Sequence, residues 1–148
     1  MTALTGTAEA HPLRVLLVED DAAIAAFVVE ALLQENGSRS GFVHVRTLSS
    51  GLERLASDGA DVVLLDLGLP DSSGQETFTR THACAPDTPI VVFTGADDDT
   101  LAKEVMKAGA QDYLIKGHIG TELLVRSLHY AIERKRIEIE LSKHRKHL

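Results

Sequence analysis

At 148 residues, with 25% charged and 44% apolar side chains, the chain has room for one domain with a sizeable core and little left over. A formal net charge of -7 argues against a nucleic-acid surface, and no apolar run nears the roughly 20 residues of a membrane helix. Met1 to His11 lacks the basic start and apolar centre of an export signal, so a cytoplasmic setting with no membrane contact is expected.

Residues 1–11 are small, polar and aperiodic, and read as a flexible leader closed by Pro12. Leu13 to Val18 is a short branched apolar strand, followed at once by Glu19-Asp20-Asp21 and a helical pattern carrying Ile24, Phe27, Val28, Ala31 and Leu32 on one face. Asp21 is placed to cap that helix, and Asn36-Gly37 to end it. Phe42 to Thr47 reads as a second, alternating strand, and Ser49 to Ser57 as a helix carrying Leu52, Leu55 and Ala56 at helical spacing, ended by Gly59. Asp61 to Pro70 carries an unbroken apolar run, Val62 to Leu65, the mark of a strand covered on both faces. The run delivers Asp66 to its C-terminal end. Asp71 to Gly74 is a turn into a weakly amphipathic helix around Phe78, stopped by Pro86 and Pro89. Pro89 to Thr94 is another buried-type strand. Asp97 to Asp99 then open a fourth helix with Leu101, Val105 and Met106 inward and Gly109 at its end. Asp112 to Ile115 is the last strand, and a helix runs from Ile119 towards the C-terminus. The single cysteine, Cys84, excludes an internal disulfide and a cysteine zinc site, and reads as a partly buried inert thiol.

This alternation of strand and helix predicts an α/β fold, a doubly wound five-stranded parallel sheet with an extended C-terminal helix. The flavodoxin-like order 2-1-3-4-5 sets the first and third strands side by side and joins their acidic ends. Glu19, Asp20, Asp66, Thr94 and Lys116 then gather at the carboxyl ends of the strands. Close carboxylates repel each other by about 4 kcal/mol per pair at an effective dielectric of 20, so a cation is expected, and hard oxygen ligands suit Mg²⁺. The chemistry that follows is phosphoryl transfer onto Asp66, with Thr94 and Lys116 gripping the oxygens of the transferred group. The rival for Asp66 alone is a turn cap before Pro70.

Four stretches carry a family resemblance: Val-Leu-Leu-Val-Glu-Asp-Asp (15 to 21), Asp-Val-Val-Leu-Leu-Asp-Leu-Gly-Leu-Pro-Asp-Ser-Ser-Gly (61 to 74), Val-Val-Phe-Thr-Gly (91 to 95) and Lys-Ala-Gly-Ala-Gln-Asp-Tyr-Leu-Ile-Lys (107 to 116). Over roughly Leu13 to Ser142 the chain resembles a response-regulator receiver domain of two-component signalling, of the chemotaxis-regulator type. The resemblance implies that Asp66 is the phosphoacceptor, that Asp20 and Asp66 bind Mg²⁺ directly, that Glu19 helps through water, and that the Gly68 carbonyl completes the protein ligands. Thr94 and Tyr113 match the switch pair, and Lys116 the phosphate-binding lysine. The implied partner is a histidine kinase or phosphotransfer protein, and the implied role is regulatory: the domain catalyses only its own phosphorylation and dephosphorylation.

One departure is Gly117, where the family usually has proline after the lysine. A non-proline cis bond costs about 3 kcal/mol, so a trans bond and a more flexible loop are expected. Tyr113 has a competing reading as an ordinary half-buried strand aromatic. The receiver should span 12–128, with 129–148 an extension of the last helix that begins a coiled coil or a linker. There Ile137, Leu141, His144 and Leu148 follow four-three spacing, while the bland account has basic residues matching the helix dipole. Either this helix or the surface of the fourth helix, fifth strand and fifth helix offers a route to a homodimer. His82, His129, His144 and His147 read as solvated. Three rivals remain: a binding module with a degenerate pocket, a flavodoxin-like cofactor binder, disfavoured because Glu19 to Asp21 would repel a flavin phosphate, and a Mg²⁺-dependent phosphohydrolase, which lacks a second carboxylate after Asp66.

Overall fold

The computed structural model describes residues 13–36, 41–95 and 98–146. The leader, Pro12, Gly37, Ala96, Asp97, His147 and Leu148 lie outside the described residues. In chain order the elements are β1 (Val15–Val18), α1 (Ala22–Asn36), β2 (Phe42–Val45), α2 (Leu48–Ser57), β3 (Val62–Leu65), β4 (Gly68–Leu69), β5 (Ser72–Ser73), α3 (Gln75–Cys84), β6 (Ile90–Thr94), α4 (Asp99–Ala108), β7 (Asp112–Ile115) and α5 (Thr121–Lys146). The principal sheet is parallel throughout with the order β2-β1-β3-β6-β7. Its five strands therefore follow the expected order 2-1-3-4-5, and β3 is central.

Side-chain alternation divides the core in two. Val15, Leu17, Val62, Leu64, Val91, Phe93 and Leu114 face α1 and α5, where they meet Val28, Ala31, Leu124, Leu128 and Ala131. Leu16, Val18, Val63, Leu65, Ile90 and Val92 face the other way, onto Leu48, Leu55, Phe78 and Val105. Both faces of β3 are covered, and Val62 to Leu65 are all 0% exposed. This explains the unbroken apolar run, and truncating one such leucine to alanine costs about 2–5 kcal/mol.

Local chemistry sets the helix ends. Asp21 Oδ1 accepts from the Ala23 and Ile24 amides, at 2.8 and 3.2 Å, and starts α1. Asp98 accepts from the Leu101 amide at 3.1 Å and starts α4. Gly109 closes α4 at φ +122, a conformation that side chains with a Cβ rarely adopt.

Several expectations are corrected. Met106 is 42% exposed, because it sits about 100° around α4 from the fully buried Val105. His82 is half-buried, not solvated: its ring stacks on Phe78 one turn earlier, with centroids 5.5 Å apart. Cys84 is exposed at the end of α3. The turn after Asp66 contains an antiparallel pair, β4 with β5, too short to leave a pattern in the sequence. The last helix begins at Thr121, and Ile119 packs under it instead.

Candidate functional site

The site is built where β1, β3 and β7 stop. Val18 lies opposite Leu65 in the register, so the next residues, Glu19 and Asp66, leave adjacent strands together. The Asp66 amide donates to the Val18 carbonyl at 3.0 Å, and the Lys116 amide donates to the Thr94 carbonyl at 2.9 Å. Glu19, Asp66 and Lys116 each continue the alternation of the face that packs on α1 and α5, two residues beyond Leu17, Leu64 and Leu114. Their side chains accordingly meet. Lys116 Nζ lies 2.5 Å from Glu19 Oε1 and 3.2 Å from Asp66 Oδ2, and 5.9 Å from the centre of the Phe93 ring.

Carboxylate oxygens of Glu19, Asp20 and Asp66 lie within 4.8 Å of one another. Glu19 and Asp66 are buried, at 1% and 6% exposure, while Asp20 is half-exposed and opens the cluster to solvent. Burial raises the Glu19 pKa, and the neighbouring Asp66 charge adds to the rise, against the opposing pull of the Lys116 ammonium and the Asp21 amide. Burial by itself would lower Lys116, but the hydrogen bond to Glu19 and the charges of Asp66 and Glu19 more than offset it, and its pKa is raised.

The donor set fits a divalent cation. It consists of carboxylates without sulfur or imidazole, and one ammonium in contact leaves net negative charge. That is the hard-oxygen chemistry of Mg²⁺. Glu19, Asp20 and Asp66 are the side chains that would hold it.

Gly68 takes a position the sequence did not foretell: its N–H donates to Asp66 Oδ1 at 3.0 Å, fixing one carboxylate oxygen while Lys116 faces the other. Thr94 ends β6 at 6% exposure, one strand from Lys116. It shares with Tyr113 the alternation that faces α4, and Tyr113 is half-buried against the cluster containing Leu65, Phe78 and Val105. Gly117 has φ +84, and there is no cis peptide bond among the described residues, so the Lys116–Gly117 bond is trans as expected.

The family profile described as "Response regulator receiver domain" matches residues 15–128. The chain belongs to the response regulator receiver family. Relatives of this receiver include the cell cycle transcriptional regulator CtrA of Caulobacter vibrioides, 30% identical over 125 residues, which cover 84% of this chain and 52% of CtrA. The KDP operon transcriptional regulatory protein KdpE of Escherichia coli is 36% identical over 102 residues, covering 69% of this chain and 44% of KdpE. The receiver thus spans about half the length of these curated relatives. Among solved structures, the signal receiver domain of a LuxO repressor protein from Vibrio parahaemolyticus superposes with a TM-score of 0.75 at 26% identity, covering 87% of this chain and 96% of that one. No helix among the described residues is long and apolar enough to cross a membrane.

Sequence reasoning missed three residues around the site. His44 and Arg46 bond the main chain of Glu19 and Asp20, and Asp71 bonds the first amides of α2. The first two act on carbonyls, which have no sequence signature. A hydrogen-bonding residue at the third strand's outgoing loop was visible only as a turn former.

Proposed function

We propose that this receiver takes a phosphoryl group from a histidine kinase or phosphotransfer protein onto Asp66 and relays its presence through the surface of α4, β7 and α5. The observation that carries the reading is the buried Asp66 carboxylate between a second acid and a lysine, with Glu19, Asp20 and Asp66 within 4.8 Å. An Asp66 oxygen attacks phosphorus, the P–N bond to the donor histidine breaks, and the freed imidazole nitrogen keeps the electron pair and takes a proton. Mg²⁺, held by Glu19, Asp20, Asp66 and the Gly68 carbonyl, would offset the charge gathered there.

Lys116 bridges Glu19 and Asp66 before transfer. Afterwards it pairs with a phosphoryl oxygen, a charge-assisted bond of the strong class. The Thr94 hydroxyl takes another oxygen, and Tyr113, on the same sheet face, turns inward behind it. The result is a population shift between two arrangements of that surface. The role is regulatory, and the only reaction catalysed is gain and loss of the domain's own phosphoryl group. We assign the receiver to 12–128 and treat 129–148 as an extension available for pairing with a second copy. The setting is the cytoplasm, where a kinase would meet it.

Incubation with Mg²⁺ and acetyl phosphate, followed by intact mass, tests this. Wild type gains one phosphoryl group and Asp66→Asn gains none; equal uptake by the two proteins ends the proposal.

A further inference from the structure

β2 is an edge strand, and its ladder with β1 runs out at Val18 and Val45. The Glu19 amide to the Val45 carbonyl, at 3.0 Å, is the last rung. Beyond it the chain after β2 turns into α2, so the Glu19 carbonyl, which faces β2, loses the backbone donor a longer β2 would have offered, and the Asp20 carbonyl lies in the bend that follows. Two side chains serve these carbonyls. His44 Nε2 lies 2.7 Å from the Glu19 carbonyl oxygen, and Arg46 Nη2 donates to the Asp20 carbonyl at 3.0 Å. A carbonyl only accepts, so His44 carries its hydrogen on Nε2. Residues 42 and 44 share one side of β2 by its period of two, the side of Leu17 and Glu19 on β1, and Arg46 follows directly after the strand, one residue beyond the last rung.

We infer that His44 and Arg46 are positioning residues for the acidic pocket, holding the main chain of Glu19 and Asp20 so that their carboxylates converge with Asp66 on a divalent cation. This deepens the receiver reading and rests on it. The turn is already tied on its inner side, where the Asp21 amide donates to Glu19 Oε2 at 3.0 Å and Asp21 caps α1. The outer side is held by the two β2 residues. Neighbouring carboxylates repel before a cation arrives, so a turn released on that side relaxes outward, and gathering it again is deducted from the cation's affinity. Partners that orient ligands in this way typically change metal affinity 10–100-fold when removed.

The test uses the full chain with His44→Ala, His44→Gln, Arg46→Ala and Arg46→Lys, and with Arg54→Ala at the opposite end of the sheet as control. Mg²⁺ binding is measured by calorimetry, and amide hydrogen exchange of residues 19–21 is read in metal-free protein. Each alanine variant is expected to bind Mg²⁺ about 10-fold more weakly and to exchange faster at 19–21 before metal is added. His44→Gln and Arg46→Lys, which keep a donor, recover part of both, and Arg54→Ala matches wild type. Arg46 is exposed, so its alanine variant carries the test should His44→Ala fail to fold. Wild-type Mg²⁺ affinity and exchange in folded alanine variants overturn the inference, as does a wild-type protein that binds no Mg²⁺. If the Mg²⁺ differences hold while Asp66 takes no phosphoryl group, the phosphoacceptor reading fails and the positioning role of His44 and Arg46 stands.

Discussion

Lys116 holds together two acids that would otherwise be buried with their charges opposed only by each other. Its side chain is 14% exposed, that of Glu19 1% and that of Asp66 7%. Breaking a buried pair by removing one partner costs about 3–5 kcal/mol, because the surviving charge stays desolvated. Lys116→Met should therefore lower metal-free stability by about 3 kcal/mol in urea unfolding, and millimolar Mg²⁺ should restore much of the loss. Asp66→Asn removes a repelling charge and should leave metal-free stability unchanged or higher. If Lys116→Met were as stable as wild type without metal, the bridge would have no energetic role. The raised Lys116 pKa fixes the sign with pH: its contribution is complete below the ordinary value of 10.5 and is lost as pH rises through the higher folded value. On the alkaline side the gap between wild type and Lys116→Met should therefore begin to narrow above pH 10.5. Glu19, Asp66 and Lys116 were legible in the sequence because each polar side chain directly follows an apolar strand. His44 and Arg46 were not, since a histidine and an arginine near the end of an edge strand look like any solvated pair until the carbonyls they meet are placed.

Among the elements, α2 depends on a residue far from it in sequence. Thr47 accepts from the Ser50 amide at 3.1 Å, while Asp71, on the loop leaving Asp66, accepts from the Leu48 and Ser49 amides at 2.9 and 3.0 Å. Three donors that a helix start leaves without partners are thus satisfied, and a negative charge sits at the positive end of the dipole. These bonds hold the Asp71 carboxyl below its ordinary pKa of 3.8. A depressed acid stabilises the fold above its unfolded value and ceases to do so as pH falls through the folded one. Asp71→Ala should lower the thermal midpoint at pH 7, and the difference from wild type should close below pH 3.8; a difference that persists in acid would assign the effect to packing instead. The caps of α1 and α4 could be read locally, from Asp21 and Asp98 standing next to their own helices. Asp71 could not, because its partners lie 22 and 23 residues earlier and only the fold brings them close.

At the scale of the whole molecule, the parallel order was readable because Val62 to Leu65 is apolar on both faces, which only a covered central strand explains. The path of α5 was harder, since its apolar residues serve two purposes. Leu124, Leu128 and Ala131 are fully buried against the sheet, and Arg134 Nη2 continues the attachment by donating to the Gln111 carbonyl at 2.8 Å. On another side of the helix Leu123, Tyr130 and Ile137 recur every seven residues, exposed at 52%, 61% and 45%. Positions four residues after the first two of these, Ser127 and Arg134, are engaged with the body of the domain: Ser127 donates to Asp112 at 2.7 Å. The next such position, Leu141, is 55% exposed. Both positions of a coiled-coil seam are therefore open only from Ile137 onward, where the helix has no sheet beneath it to cover them. Pairing of two copies should begin there. Ile137→Glu and Leu141→Glu together should abolish a dimer in sedimentation while leaving the thermal midpoint of the domain within about 2 °C, since neither side chain belongs to the core. Leu123→Glu, whose seam partner Ser127 is turned inward, should weaken the dimer less. A dimer that survives the double substitution but is lost with Leu123→Glu would place the contact on the α4, β7 and α5 surface instead.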